Sequence, residues 1–405
     1  MQPNPRVVIN GGGLAGLAHA ITFARRGWQV TVAERATTPR RDGFMIGFHG
    51  RGFDALSTLD LEAPLRAVGR DYAGAEYVDG GDRTTARVSL DGFRRGTRGR
   101  FVSVLRPELE EVLRSALPVE VDVRFGTHVV GLMPGWLTPD ARSGARPAEV
   151  TLSDGSTIRC DLVLGADGLH SAVRGMLGSP ESTALRLLQH HTAAWTLHDP
   201  AMAAELGDTV RVSDVTGGQV GLLALDIGMP DRRPAADRGM VSGYAVLPGG
   251  RELPDEPAAR IRTELTRHGS LARSIADRLP DDLFYDLVAQ TVLPSWRVGR
   301  VLLVGDAAHA VSPVAGQGAS LAIAGAVALA EALDEAPDLA TGLTTYEQRW
   351  RRVVAPIQTA ARRAAPAYIA HTRAGLLLRR LALRAGNLPI LEPLLTRRAV
   401  GDELA

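Results

Sequence analysis

Lysine is absent from the 405-residue chain, and all 46 of its basic residues are arginine. That excludes a phosphate-loop lysine and a Schiff-base lysine, two frequent routes to chemistry. A single cysteine, Cys160, excludes an internal disulfide, and with no Cys-x-x-Cys pair a structural zinc site is not expected. No charge dominates: 45 acidic residues leave a net charge of +1. A nucleic-acid partner, which would call for a basic excess or stripe, is not expected. No apolar run approaches the roughly 18 residues that a membrane-spanning helix needs. The first apolar run, Val7-Val8-Ile9, is too short for a secretory signal and leads straight into a glycine-rich turn. The chain therefore reads as cytoplasmic. Internal repeats and low-complexity tracts are missing too. What is present is an ordinary globular balance, 45% hydrophobic, over a length that suits two or three domains.

The order of elements is legible in outline. Arg6 to Asn10 reads as a buried strand, Leu14 to Arg26 as a helix closed by Gly27, and Gln29 to Ala33 as a second strand, which makes one βαβ unit. A Gly/Arg-rich loop follows from Pro39 to Gly52. Residues 71–100 read as short strands with Gly/Asp turns, and Pro107 to Leu117 as a helix. Val119 to Arg124 and Thr127 to Leu132 resemble strands, and Pro134 to Pro147 an exposed loop. Glu149 to Leu152 and Thr157 to Leu164 form a hairpin around Asp154-Gly155. Residues 185–290 mix strand-like runs, such as Val220 to Ile227 and Val241 to Leu247, with one helical stretch, Ala258 to Leu279. Val301 to Val304 is another buried strand, followed by a Gly-rich turn and an Ala-rich helix, Ala319 to Leu333. From Thr344 the chain is mostly helical and arginine-rich.

Three motifs carry chemistry. The first is Gly11-x-Gly13-x-x-Gly16, set between a strand and a helix as a dinucleotide fingerprint requires. Gly11 permits a tight turn, Gly13 lets backbone approach a pyrophosphate, and Gly16 lets helix and strand pack closely. The N–H groups at Leu14 and Ala15 then face the diphosphate, where the helix dipole favours negative charge. Glu34 ends the second strand, where a carboxylate can accept ribose hydroxyls. This much does not separate NAD from FAD. The second motif is Gly165-Ala166-Asp167-Gly168, continuing through His170 to Arg174. The third is Gly305-Asp306-Ala307-Ala308-His309, continuing to Pro313 and Gly316-Gln317-Gly318. Each puts an aspartate just after an apolar strand, at the sheet edge where open α/β folds bind ligands. Asp-Gly after a strand is also a plain turn, but two such turns with these flanks argue against coincidence.

With these segments the chain resembles the FAD-dependent aromatic hydroxylases, the group A flavoprotein monooxygenases related to para-hydroxybenzoate hydroxylase. The resemblance covers about 1–65, 101–175 and 290–335. Val30 to Arg35 is similar to the family's end of strand two, which adds Arg35 beside Glu34. Leu105-Arg106-Pro107-Glu108-Leu109 is similar to its Arg-x-x-Leu segment, and implies that Arg106 contacts FAD. Val129 falls where the family uses backbone to meet adenine. The Asp167 segment resembles a motif implicated in FAD and NAD(P)H handling. The Asp306 segment resembles one whose aspartate binds the ribityl hydroxyls. The resemblance also sets the helix after Gly316-Gln317-Gly318 against the flavin pyrimidine edge, where its N-terminus favours the anionic reduced flavin. Two positions depart from the family: Ser320 replaces an Asn, and Gly325 replaces an acid.

The implied fold class is α/β: a Rossmann-type FAD-binding domain of the GR2, para-hydroxybenzoate hydroxylase kind, with an interleaved α+β substrate domain and C-terminal helices. The implied division is 1–70, 101–184 and 291–343 for FAD, 71–100 and 185–290 for substrate, and 344–405 for the helical region. A thioredoxin-like extra domain, carried by some relatives, is not expected. The implied cofactor is FAD, with NADPH or NADH as reductant and O2 as co-substrate. The implied cycle passes through a flavin C4a-hydroperoxide attacked by an electron-rich ring. The flavin does that chemistry while protein orients substrate and excludes water. Accordingly no acid/base dyad is visible, and no metal is called for.

The run Gly43 to His49 should pass beside the isoalloxazine, with Gly47 as a contact and His49 as a candidate to hydrogen-bond substrate, or equally to satisfy loop backbone. His190, His191 and His198 read as ordinary. Arg40 and Arg41 could attract the NAD(P)H phosphate, although solvation is the plainer role. Thr372 to Arg398 alternates Leu with Arg, and is expected to pack across the two domains with its arginines toward water. The substrate is expected to be a hydrophobic aromatic or polyketide-like molecule of secondary metabolism such as antibiotic biosynthesis. A flavin-dependent reductase or dehydrogenase on the same fold, and a non-redox cyclase that keeps FAD as structure, remain open. The expected assembly is a monomer or homodimer.

Overall fold

The computed structural model describes residues 4–39, 43–132, 148–227 and 238–386. Arg40, Arg41, the expected loop at 134–147 and the end of the Leu/Arg stretch lie outside them.

Two sheets organise the chain. The first has six strands in the order Arg297–Val298, Val301–Leu303, Leu162–Gly165, Arg6–Asn10, Gln29–Glu34 and Asp122–Phe125. Its pairs are parallel except the first. Val7, Val8 and Ile9 are buried on both faces, as the continuous apolar run requires. The helix Leu14–Ala24 crosses between the first two strands, and Gly318–Asp334 packs along it. Both are apolar all round, as buried helices are. A three-stranded antiparallel sheet, Thr157–Cys160, Ala148–Leu152 and Val129–Leu132, flanks this layer.

The second sheet has seven strands, in the order Phe284–Thr291, Leu185–His198, Met240–Pro248, Gly218–Ala224, Thr209–Val215, Gly74–Val78 and Thr84–Ser89. It is antiparallel apart from the Thr209–Val215 pairing with Gly74–Val78. One face buries Ala193, Trp195, Val220, Leu222 and Ala245 against Pro200–Leu206 and Pro257–Leu265. A two-stranded ribbon, Met45–His49 with Phe101–Leu105, stands between the sheets. The architecture is the expected one: a Rossmann-type parallel sheet, an interleaved α+β portion, and helices at the C-terminal end.

Local readings shift for identifiable reasons. The strand read over Thr157 to Leu164 breaks at Asp161, whose N–H donates to the Arg6 carbonyl while its carboxylate accepts the Arg6 N–H at 2.9 Å. That exchange moves the chain from one sheet into the other. The helix read over Ala258 to Leu279 stops at Leu265 and resumes at Ser270–Ser274. Between them Ser213 accepts the Gly269 N–H and meets His268 Nδ1 at 3.0 Å. The region 71–100 holds two strands and also a helix, Asp91–Gly96. Leu185–His198, at 14 residues the longest strand described, stands out weakly in the sequence because its faces pack on different partners.

Candidate active site

The site forms where the carboxyl ends of the parallel strands meet the ribbon and the second sheet. Gly11 has φ +113, and a Cβ there would lie 2.5 Å from the Ala166 carbonyl oxygen. A Cβ on Gly16 would collide with the Gly11 carbonyl. Both positions are therefore closed to other residues by backbone alone. At Gly13 the nearest atoms, on Arg106 and Glu110, would be 3.6 and 3.7 Å away. Protein does not forbid a side chain at Gly13; the free space lies over a helix whose N-terminus carries no side-chain cap and no acid in its first turn. Uncapped donors beside open space fit a diphosphate.

The other residues singled out in the sequence gather around this turn. Glu34 Oε2 accepts the Gly12 N–H at 2.6 Å and Oε1 the Ala36 N–H at 2.8 Å. Arg35 is exposed at the strand end. Arg106 pairs with Glu110, Nε to Oε1 at 3.1 Å, one turn along the helix Arg106–Ser115. The Val129 N–H is committed to Asn10 Oδ1 at 2.8 Å.

Asp167 and Asp306 differ. The Asp167 carboxylate receives Asn10 Nδ2 at 3.1 Å, Ser171 Oγ at 2.5 Å and the Val173 N–H at 3.1 Å. Its donors are thus all protein groups, and what the turn offers outward is backbone. Asp306 is enclosed by protein yet has an exposed carboxyl, so it lies at the foot of a cleft. Desolvation raises its pKa, with Arg106 pulling it down and Asp286 pushing it up. Gly305, with φ +57, makes this placement possible, because a Cβ there would meet that of Ala15 at 2.7 Å. The third motif therefore sits directly on the first.

The turn after Asp306 is held from behind. Pro313–Ala315 is a 3-10 turn, Gly316 is left-handed, and Gln317 opens the helix Gly318–Asp334 with no side-chain cap. Ser312 takes φ +77, a strained conformation for a residue with a Cβ. Gln358 Nε2 braces the segment, donating to the Thr291 and Ala310 carbonyls at 2.9 Å each, and Thr291 Oγ1 donates to the Asp306 carbonyl at 2.7 Å. His309 packs against Trp296, and burial lowers its pKa to about 3, so it stays neutral.

The two departures from the family pattern have local partners. Ser320 Oγ donates to the His49 carbonyl at 2.8 Å, tying this helix to the ribbon. A Cβ on Gly325 would lie 3.2 Å from Trp350 Nε1 and 3.3 Å from Tyr346 Oη, two buried donors that have no hydrogen-bond partner among the described residues. His49 itself is buried edge-on to Phe93, and Gly47 lies against Phe101. Phe44, just before the ribbon, meets the second sheet at Phe284, 5.7 Å between ring centroids.

Three supporting residues escaped the sequence reading. Asn10 joins Val129 to Asp167. Gln358 belongs to a helix far along the chain. Arg174, fully buried, donates to the Ala307 carbonyl at 3.2 Å and the Leu169 carbonyl at 2.7 Å, bridging the second and third motifs. Arg174 lies within the quoted second motif, and its place seven residues after Asp167 is the only signal the sequence offers. His170, also in that motif, binds Glu181 and Asp286 at 2.9 and 2.8 Å. Those carboxylates raise its pKa to about 9. His190 and His191 bond ordinary backbone and Tyr285 partners.

The expectation for the C-terminal stretch holds at buried Leu376 and exposed Arg373 but fails elsewhere. In the helix Arg373–Gly386, Arg379 pairs with fully buried Asp214 and Arg384 donates to the Thr85 carbonyl, whereas Leu377, Leu378 and Leu381 are exposed. A buried carboxylate without a partner costs more than a leucine left in water, so Arg379 and Arg380 turn toward Asp214. A cavity of about 410 Å³ elsewhere, lined by Glu76, Arg87, Glu205 and Arg211, lies away from all three motifs. Its charges pair with one another. Among the described residues no group of His, Cys, Asp and Glu could hold a metal, and no helix is long and apolar enough to cross a membrane.

Comparison with known proteins agrees with this geometry. The FAD binding domain family matches residues 4–361. The 2-heptyl-3-hydroxy-4(1H)-quinolone synthase of Pseudomonas aeruginosa (strain UCBPP-PA14) is 32% identical over 358 residues, 86% of this chain and 85% of that protein. The flavin-dependent monooxygenase eupH of Phoma sp is 30% identical over 82% of this chain and 77% of its own. Among solved structures, tetracycline destructase Tet(55) superposes with a TM-score of 0.76 at 21% identity, covering 99% of this chain and 98% of that one. Klebsiella pneumoniae HpxO, complexed with FAD and uric acid, gives 0.76 at 22% identity and 98% of both chains. The chain belongs to the FAD-binding family of flavin-dependent monooxygenases, and is an FAD-dependent oxidoreductase.

Proposed function

We propose that this protein hydroxylates a hydrophobic aromatic molecule, with NADPH or NADH as reductant and O2 as the source of the inserted atom. Bound FAD would supply hydride acceptance and oxygen activation, chemistry that no side chain here provides. The N-terminus of Leu14–Ala24 would hold the diphosphate, since free N–H donors and the helix dipole favour an anion there. Glu34 accepts the ribose hydroxyls, exchanging its present backbone partners. Arg106 takes up phosphate or ribityl oxygen after loosening from Glu110. Asp306 accepts the ribityl hydroxyls, and this carries the assignment: an enclosed carboxylate open to a cleft, between two helix N-termini, is held for a partner that donates hydrogen bonds. The uncapped N-terminus behind Gly316-Gln317-Gly318 would stabilise negative charge on the isoalloxazine. Phe44 and Phe284 close that end against water.

In this reading the parallel-sheet portion holds FAD and the inner face of the seven-stranded sheet holds substrate. Support for a bicyclic ring with apolar substituents comes from the apolar cluster at the junction, Tyr72, Leu105, Leu223 and Leu225 with Met45 and Tyr244, and from a relative named for a heptyl-hydroxyquinolone. Secondary metabolism and a cytoplasmic location, suited to one buried thiol and a nicotinamide reductant, complete the reading. The test is NADPH-dependent turnover of aromatic substrates under 18O2, followed by mass spectrometry. One 18O atom in the product is expected. A product differing only by two hydrogens would make the enzyme a reductase or dehydrogenase, and an unchanged mass without NADPH use would make it a cyclase.

A further inference from the structure

The inner face of the seven-stranded sheet carries a row of residues whose chemistry is not used above. Pairing across six strands aligns Phe284, Ala194, Tyr244, Gly221, Val212 and Tyr77, so all six share one face. Five steps of strand spacing make the row roughly 24 Å long. Aromatic rings stand at both ends and near its middle, with the small residues Ala194, Gly221 and Val212 between them. A Cβ on Gly221 would strike the Tyr244 ring, so the glycine leaves that ring its place across the neighbouring strand. The Phe284 end abuts Phe44. The Tyr77 end is covered by two later elements: the helix Leu339–Tyr368, which brings Tyr368, and the helix Arg373–Gly386, which brings Arg379.

Tyr77, Tyr244 and Tyr368 are close enough to interact electrostatically with one another and with Arg379. Each is crowded by protein while its side chain keeps partial exposure. Burial raises the pKa of all three phenols, so each keeps its proton. No hydrogen bond of the Tyr244 or Tyr368 hydroxyl occurs among the described residues, and both side chains keep partial exposure. Arg379 stands 5.9 Å from the Tyr77 ring centroid and 2.9 Å from Asp214 Oδ1. Arg380 donates to the Asp214 carbonyl at 3.0 Å, so two guanidinium groups face one carboxylate and leave a positive surplus.

We propose that Tyr77, Tyr244, Tyr368 and Arg379 form the recognition end of the substrate cavity. The ligand they select is a planar aromatic whose acceptor oxygen, a carbonyl, phenolate or carboxylate, lies away from the Phe44–Phe284 end. O–H donors without protein partners are open to a ligand acceptor, and the flat rings with small residues between them accept a fused ring. The C-terminal helix is thus part of the site. This inference rests on the placement of the reacting end beside Phe44 in the proposed function.

The test uses Tyr244→Phe and Tyr368→Phe, since hydroxyls without protein partners can be removed at little cost to folding. The purified protein and both variants are titrated calorimetrically with naphthalene, chromone and 2-naphthoate. The unmodified protein is expected to bind an oxygen-bearing probe about tenfold more tightly than naphthalene, with the variants losing roughly three- to tenfold of that preference and naphthalene unmoved. A preference for chromone marks the phenols as the dominant donors, and one for naphthoate marks Arg379. Equal affinity for the three probes, binding of none, or a preference unmoved in both variants overturns the inference. FAD content and NADPH oxidation, measured on the same samples, test the proposed function separately.

Discussion

Asp167 and Asp306 occupy equivalent places, each just past a buried strand of the same parallel sheet and each flanked by glycine. Their carboxylates have opposite employment. Asp167 gathers a side-chain amide, a hydroxyl and a backbone N–H, and so fastens the first strand to the segment Ser171 to Val173 that follows its own turn. Asp306 faces the cleft, raised in pKa by desolvation. One aspartate holds the fold and the other is held by it. The difference teaches that a motif's position in a sheet sets where a carboxylate sits, while its donors decide what it does.

Substitutions can break that contrast. Asp306→Ala is expected to weaken FAD binding by roughly ten- to hundredfold, the worth of charge-assisted hydrogen bonds, and to leave the apoprotein no less stable. Equilibrium FAD titration with thermal melts of the apoprotein checks both halves. Asp167→Ala is expected to do the reverse: it strands donors on Asn10, Ser171 and Val173, costs about 2 kcal/mol in stability, and affects FAD through loosening of the turn. Denaturant melts of the apoprotein measure it, and an unchanged midpoint with lost FAD would make the two aspartates alike. Arg106→Ala should weaken FAD about tenfold, less than Asp306→Ala, because the arginine must first leave Glu110.

The smallest effect concerns the clamp beside Asp167. His170 joins the turn to Asp286 on the second sheet, with its folded pKa raised to about 9 by Asp286 first and Glu181 next. A raised pKa means that the protonated ring stabilises the native state. That contribution is complete below about pH 6.5 and is lost as pH climbs through about 9. The half-exposed pair is screened, so the expected effect is slight. Melting temperatures of the protein and of His170→Gln should differ most at pH 6 and converge by pH 10. A constant gap would remove His170 from the coupling between sheets.

Much of the cofactor side is legible because it is local. Gly16 is dictated by the Gly11 carbonyl five positions away and Asp306 by a turn of four, and Gly11 by its own φ of +113, although its closest neighbour, Ala166, lies across the sheet. The buried strands announce themselves as continuous apolar runs. Less legible is whatever needs strand order. Leu185–His198 has no single alternating face, Asn10 and Asp167 are 157 positions apart, and Gln358 braces a turn from the distant end of the chain. The inward arginines of the last helix also ran against its amphipathic pattern, because only the folded sheet brings buried Asp214 beneath them.

Sequence alone therefore determined the family, the glycine turn and the carboxylates placed after buried strands, since these follow from steric limits over a few residues. Tertiary structure decided which aspartate is free, and it built the row from Phe284 to Tyr77 out of six strands and two terminal helices. Residues in that row are neighbours only through hydrogen-bonded register, a non-local property that no short segment encodes.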